Sequence, residues 1–251
     1  HSAGMPKDQI EEPGLDPKEK VRRLIENLGP IQNTIQYSWL VEMCQSYFGL
    51  HESEVTPQNW EKVYDGAEMH MSHKDWPNRV LQQSRIEALF LTNDFDDSLE
   101  GFATNVYIPC LRTDDLVFHL AKPEVRQRLE RASGIAPNDA RLLRRAIAAL
   151  FQHFKSRGAR ACAISLPPDF SPLRVSEARA NTALAAIHGD GPLAGEAHRR
   201  AIGNYVFWTL AEMCDAFKLP FDLMIGVNRG MYEAGVHQGR DLYDSRVSLI
   251  Q

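Results

Sequence analysis

The chain has 251 residues, 43% of them hydrophobic, and a formal charge of −5. That length and apolar share describe a globular protein able to bury a large core, and the mild acidity argues against a dedicated nucleic-acid binder, which would carry a basic face. No run approaches the roughly 18 apolar residues of a membrane span and no signal peptide opens the chain, so no membrane partner is expected and the compartment reads as cytoplasmic.

Residues 1–15 are polar, broken by Pro and Gly, and read as a loop. Asp16-Pro17 sets a capping carboxylate before proline at the first helical position, which predicts a helix to about Leu28. A second helix is expected over 34–48, closed by Gly49. Thr56-Pro57 opens a third, with Trp60, Val63 and Tyr64 on one face, and Asp75-Trp76-Pro77 opens a fourth. Residues 16–84 therefore form a helical region, with Trp39, Phe48, Trp60, Tyr64 and Trp76 expected in its core.

Alternation begins at residue 85. Strands are expected near 86–92, 104–111, 160–165 and 221–227, and helices near 123–133, 138–157 and 193–217. Continuous apolar strands separated by helices point to an α/β fold with a parallel sheet under helical cover. The arginines Arg141, Arg144 and Arg145 on the 138–157 helix read as a solvated face, and His153 and His198 as structural or solvated. Cys44, Cys110, Cys162 and Cys214 lie far apart, three of them in apolar runs, and read as buried free thiols in a reducing compartment.

Three of the strand candidates empty into polar residues. The carboxyl end of a strand is where α/β proteins hold ligands, and Asp94, Asp96, Asp97, then Arg112 and Asp114, then Asn228 and Arg229 all stand there. A planar guanidinium at Arg112 or Arg229 suits bidentate recognition of a carboxylate, and Gly226 allows close backbone approach. An Arg112–Asp114 surface pair is the plainer alternative. Asp94 and Asp97 either bind polyol hydroxyls or orient Arg112, and Asp97 alternatively caps a short helix from Ser98. After the last strand, Tyr232, His237, Arg240 and Asp244 occupy a glycine-punctuated polar loop. His237 is the acid/base candidate there, because its ordinary pKa allows proton exchange near neutrality.

Residues from about Ile35 to Arg229 resemble the middle of a uronate isomerase, a divergent branch of the amidohydrolase superfamily. Tyr37-Ser-Trp39 with Tyr47-Phe-Gly-Leu50 resembles a Tyr-His-Trp and Tyr-Phe-Gly in the family's helical insertion. Thr92-Asn-Asp-Phe-Asp-Asp-Ser-Leu-Glu100 resembles the Thr-Asp-Asp-Pro-x-Asp-Ser-Leu-Glu after strand three, without a gap. Leu111-Arg-Thr-Asp114 resembles the Phe-Arg-Pro-Asp after strand four, and Leu223-Met-Ile-Gly226 with Asn228-Arg229 resembles the strand-six Leu-His-Leu-Gly and Arg-Asn. The strand-three block is the most specific of these.

The resemblance implies a (β/α)8 barrel of the amidohydrolase type, incomplete in this chain, with the helical insertion at 16–84 and the central part of the barrel at 85–251. It implies aldose–ketose isomerisation of a sugar acid; from the strand-end residues, Arg112 and Arg229 would hold the acid with Asp94, Asp97, Asp114, Asn228 and Tyr232 as further contacts, and the base would come from the His237 loop or from segments outside this chain. It further implies a divalent metal, zinc in the first instance, whose ligands (a His-x-His and an aspartate in the family) would lie outside this chain, and it leaves room for a homo-oligomer. Two stretches depart from the family. Its strand-five Ser-Asp-His-Gly is Ser165-Leu-Pro-Pro168 here, and its strand-six His is Met224. A proline relays no proton and a thioether is a poor ligand for a borderline cation. A metal-dependent hydrolase on the same scaffold, or a non-catalytic sugar-acid binding protein, stands as the alternative.

Overall fold

A computed structural model describes residues 5–6, 8–228 and 242–243. The chain divides into two compact units that part between Glu87 and Ala88.

The first unit is helical. A single turn, α1 (Asp8–Glu11), falls within the stretch expected to be loop. Next come α2 (Pro17–Glu26), α3 (Ile35–Tyr47), α4 (Trp60–Met71) and α5 (Trp76–Gln83). Asp16 caps α2 by accepting from the Glu19 N–H, and Thr34 caps α3 by accepting from the Tyr37 N–H, each satisfying a donor the helix cannot. Ile25, Tyr37, Val41, Cys44, Trp60 and Val63 pack together as a small core. Trp39 is a correction: it is 55% exposed, on the face of α3 opposite Tyr37, Val41 and Cys44.

The second unit carries the sheet. Its strands are β1 (Leu89–Phe90), β2 (Asn93–Asp94), β3 (Tyr107–Ile108), β4 (Cys110–Arg112), β5 (Ala161–Leu166), β6 (Phe221–Ile225), β7 (Val227–Asn228) and β8 (Leu242–Tyr243). Its helices are α6 (Asp114–Phe118), α7 (Pro123–Ser133), α8 (Ala140–Ser156), α9 (Glu177–Asp190) and α10 (Glu196–Phe217). The main sheet is parallel in the order β2-β4-β5-β6. The segment expected as one strand at 86–92 is two, β1 pairing with β3 and β2 with β4. Pro109 interrupts the partner between them, because it has no N–H to donate to the ladder. Likewise Gly226, at φ +87°, turns the chain out of β6 before β7 pairs antiparallel with β8.

Leu111, Cys162, Ile164 and Leu166 project from one sheet face into a core shared with the helices. α8 meets them with Leu143, Ile147, Leu150 and Phe154, a stripe at helical spacing. The sequence reading contains no element corresponding to α9. Ser176 caps it, and Ala180, Ala183, Leu184 and Ile187 form its buried face. Arg141 and Arg145 are exposed, and Arg144, its side chain 41% exposed, also bridges α8 to Glu212 on α10. The architecture is α/β of the (β/α)8 type, and the sheet does not close among the described residues. All four cysteines are buried and free.

Candidate functional site

Strand alternation decides which residues can meet a ligand. Neighbours in register on parallel strands share a face, so Asp94, Arg112, Ala163 and Asp222 form one row across the four strands. Ser165 and Met224 stand opposite one another two residues further along. This face lies opposite the helix-covered one. It opens at the carboxyl ends of β4 and β5 into a cavity of about 500 Å³ lined by Arg112, Asp114, Asp115, Phe118, His119, Ser165, Pro167, Pro168, Asp169 and Val227.

The end of β4 is held by Thr113. Its backbone N–H and its hydroxyl both donate to the Ala163 carbonyl at 3.0 Å, and the side chain is fully buried. The clamp fixes the point where β4 gives way to α6, so Arg112 and Asp114 leave the strand at one edge of the cavity. Arg112 Nε lies 3.4 Å from Asp114 Oδ2, a long contact, and its two terminal nitrogens make no hydrogen bond among the described residues. The Arg112 side chain is 39% exposed while the Asp114 side chain is 11% exposed. The pair and the ligand-facing arginine expected from the sequence therefore coexist: Nε is used and the outer edge is open.

Ser165 is the residue the sequence reading missed. It is 8% exposed, lines the cavity and makes no hydrogen bond among the described residues. No side-chain nitrogen or oxygen among the described residues is both fully buried and unbonded, so this hydroxyl keeps an opening to the cavity, where a ligand or water can meet it. His119 also lines the cavity, from just past α6. Leu166, at one of the positions that departs from the family pattern, is 6% exposed and packs in the helix-covered core. Pro167, at the other, lines the cavity.

The Asp94–Asp97 cluster divides. Arg128 on α7 gathers Asp96 at 2.5 and 2.7 Å, Asp115 at 2.8 Å and Asp94 at 3.5 Å, and its guanidinium lies 4.6 Å from the Phe95 ring centroid. The hydrogen bond from Arg128 holds the Asp96 carboxyl below the usual range. Asp97 is a correction in part. No helix starts at Ser98; instead Asp97 accepts from the Leu99 N–H at 2.8 Å and from the Asn93 amide at 3.0 Å, and its carbonyl meets His153 Nε2 at 3.3 Å. Both of its carboxylate oxygens are thus engaged in shaping the loop. Asn228 begins a short pairing with β8, whereas Arg229, Tyr232 and His237 lie outside the described residues.

No group of three or more His, Cys, Asp or Glu side chains that could hold a metal ion is found among the described residues. The polar groups lining the cavity are the Arg112 guanidinium, the Ser165 hydroxyl, the His119 imidazole and the Asp114, Asp115 and Asp169 carboxylates, and no three of its ligating side chains are grouped so as to hold a divalent cation. No described helix is long and apolar enough to cross a membrane.

A parallel α/β sheet under helical cover, with a polar cavity at its strand carboxyl ends, defines a ligand-binding scaffold of the barrel type. Solved structures narrow this to the fold of the uronate isomerases. The uronate isomerase of Thermotoga maritima superposes with a TM-score of 0.79 at 17% identity, over 95% of this chain and 55% of that one. The glucuronate isomerase of Caulobacter crescentus gives 0.79 at 18% identity, over 92% and 51%. A uronate isomerase of Bacillus halodurans gives 0.60 at 18% identity, over 92% and 50%. The chain thus spans about half the length of these structures. No family model and no curated protein matches it.

Proposed function

We propose that this protein binds a sugar acid at the β4–β5 strand ends and, in the manner of a uronate isomerase, interconverts its aldose and ketose forms. The observation that carries the reading is the open edge of Arg112 beside the unbonded hydroxyl of Ser165 in one cavity. Two parallel N–H donors suit a carboxylate, and Ser165 can donate to or accept from a sugar hydroxyl. The likeness of fold to solved uronate isomerases supports the choice of substrate class.

Isomerisation removes a proton from the carbon bearing a hydroxyl and returns one to the neighbouring carbonyl carbon, through an enediol. Arg112 would anchor the distal carboxylate and so fix which carbons face the base, and His237 is our candidate for that base. Asp94, Asp114, Asn228, Arg229 and Tyr232 complete the proposed substrate contacts. Asp97 retains that role only if its loop contacts open. The zinc requirement is part of the proposal, with ligands outside the described residues, and the roles of Arg112 and Ser165 do not depend on it.

The test is an aldose–ketose interconversion assay on uronates, with and without added zinc or manganese, alongside calorimetric binding of the same acids. Turnover supports the isomerase. Binding without turnover under any metal supports the second reading, a sugar-acid binding protein. That reading is favoured by one observation: Pro167, which carries no proton, lines the cavity where the family pattern has an ionisable side chain. Absence of both binding and turnover would remove the sugar-acid assignment.

A further inference from the structure

Besides Arg112, the ionisable side chains lining the strand-end cavity are Asp114, Asp115, Asp169 and His119. Asp114 meets Arg112 at 3.4 Å, and Asp115 accepts from Arg128 at 2.8 Å. An ionised carboxylate, that of Asp169 included, can only accept a hydrogen bond. The imidazole of His119 offers more: in the neutral ring one nitrogen donates while the other accepts, and imidazole is the side-chain group suited to proton exchange near neutrality. His119 is exposed at the cavity wall, and its ring nitrogens make no hydrogen bond among the described residues.

Its position matters as much as its chemistry. His119 follows α6 directly, and its backbone N–H donates to the Asp115 carbonyl at 2.9 Å, which ties it to the last turn. At the other end of this segment Thr113 clamps the close of β4, so Arg112 and His119 stand at either end of one short helix. The five residues of α6 rise only about 7 Å. That is close to the span of the five C–C bonds, about 1.5 Å each, between the carboxylate and carbonyl carbons of an open-chain hexuronic acid. With the carboxylate on Arg112, the reacting end of such a chain extends toward His119.

We infer that His119 is the proton shuttle between the two oxygens of the isomerisation, an inference that rests on the isomerase reading above. As the base removes the proton from carbon 2, the electron pair of that C–H bond forms the double bond of the enediol. The imidazolium meanwhile gives its N–H proton to the carbonyl oxygen on carbon 1. The neutral imidazole then takes the hydroxyl proton from the oxygen on carbon 2 as the new carbonyl forms there, and the base returns its proton to carbon 1. Every proton is accounted for and no oxidant enters.

Steady-state kinetics on glucuronic acid, under the zinc or manganese supplement that supports turnover, test this. His119→Gln should lower kcat about 100-fold, the lower end for a proton-transfer group, and change KM less than about three-fold, whereas Arg112→Ala should chiefly raise KM. Added imidazole should restore part of the kcat lost in His119→Ala, which it would not do for a structural residue. In the unmodified protein, the ring nitrogen resonances of His119 should move when glucuronic acid binds. Unchanged kcat in His119→Gln would overturn the shuttle and leave the isomerase standing. Failed rescue together with unmoved ring resonances would do the same. If the unmodified protein turns nothing over, the isomerase reading and the shuttle fall together.

Discussion

Asp94 and Arg112 stand opposite each other in register on adjacent parallel strands, yet they do not pair: Asp94 lies 3.5 Å from Arg128 and Arg112 3.4 Å from Asp114. With the loop carboxylates drawn toward α7 by Arg128, the outer edge of Arg112 has no hydrogen-bond partner among the described residues. An arginine so placed is ready for an external carboxylate without first breaking a strong ion pair.

Arg112→Ala should weaken binding of a uronic acid by about 10- to 100-fold, the range for a charge-assisted hydrogen bond to an ionised group of ~1.5–3 kcal/mol. Stability should change little, because the side chain is 39% exposed and its one contact is long. Arg112→Lys should recover only part of the affinity, since an ammonium is a point charge and not a planar fork. Calorimetric titration of all three proteins reads this directly, and unchanged affinity in the alanine variant would remove Arg112 from the site.

Ser165→Ala separates a binding role from a structural one. Removing a hydroxyl that opens to the cavity and has no hydrogen bond among the described residues should leave the thermal midpoint unchanged or slightly higher. Affinity for the acid should fall several-fold. A drop in midpoint with unchanged affinity would make Ser165 a structural residue.

Arg128 gives the acid limb of stability its shape. The Asp96 carboxyl titrates below its ordinary 3.8 because Arg128 hydrogen-bonds it. A carboxyl depressed in the folded state contributes stability that is fully present above the unfolded pKa and is lost as pH falls through the folded one. Urea midpoints of the unmodified protein should therefore decline below about pH 4, the ordinary carboxylate range. Arg128→Met should lower the midpoint near neutrality, and the gap between the two proteins should close on acidification. A gap independent of pH between 2 and 5 would count against the Asp96 linkage.

At Gly203 α10 packs closely against the backbone of α6. A Cβ built there would meet the Val117 carbonyl oxygen at 2.8 Å. Gly203→Ala should thus destabilise by about 1–3 kcal/mol, the usual cost of overpacking, despite the better helix propensity of alanine. Denaturant titration would show it, and a stabilised variant would mean that the two helices can part freely.

The thiols should be silent. Cys110 is pushed up to about 11, chiefly by burial, and burial likewise raises Cys44 and Cys162. At pH 8 Ellman's reagent should titrate no thiol in the native protein and four in guanidinium. Fast labelling of one native cysteine would show that its element opens locally.

Much of the second unit was legible because its signals are short in range. Asp139 caps α8 by accepting from the Leu142 N–H, and the Leu143, Ile147, Leu150 and Phe154 stripe marks its buried face without reference to anything distant. α9 escaped because two of its four buried residues are alanines, Ala180 and Ala183, which barely contrast with a polar face. Trp39 was misread because aromatic character predicts burial only on average, and on α3 the core lies on the other side.

For the site, Arg112 and Asp114 could be read from their place after an apolar run, since a strand end exposes whatever follows it. Ser165 could not, because which face of β5 turns from the helices depends on its register with β4 and β6. Arg128 could not either: its partners Asp96 and Asp115 lie 32 and 13 residues away. By itself the sequence determined the helices with clear caps and stripes, the strand segments and the polar character of their ends, because capping and amphipathic spacing act over a few residues. The tertiary structure alone decided which polar groups keep an open edge. That outcome is set by non-directional burial of apolar surface and by pairings such as Thr113 to Ala163, 50 residues apart, neither of which is written in any local pattern.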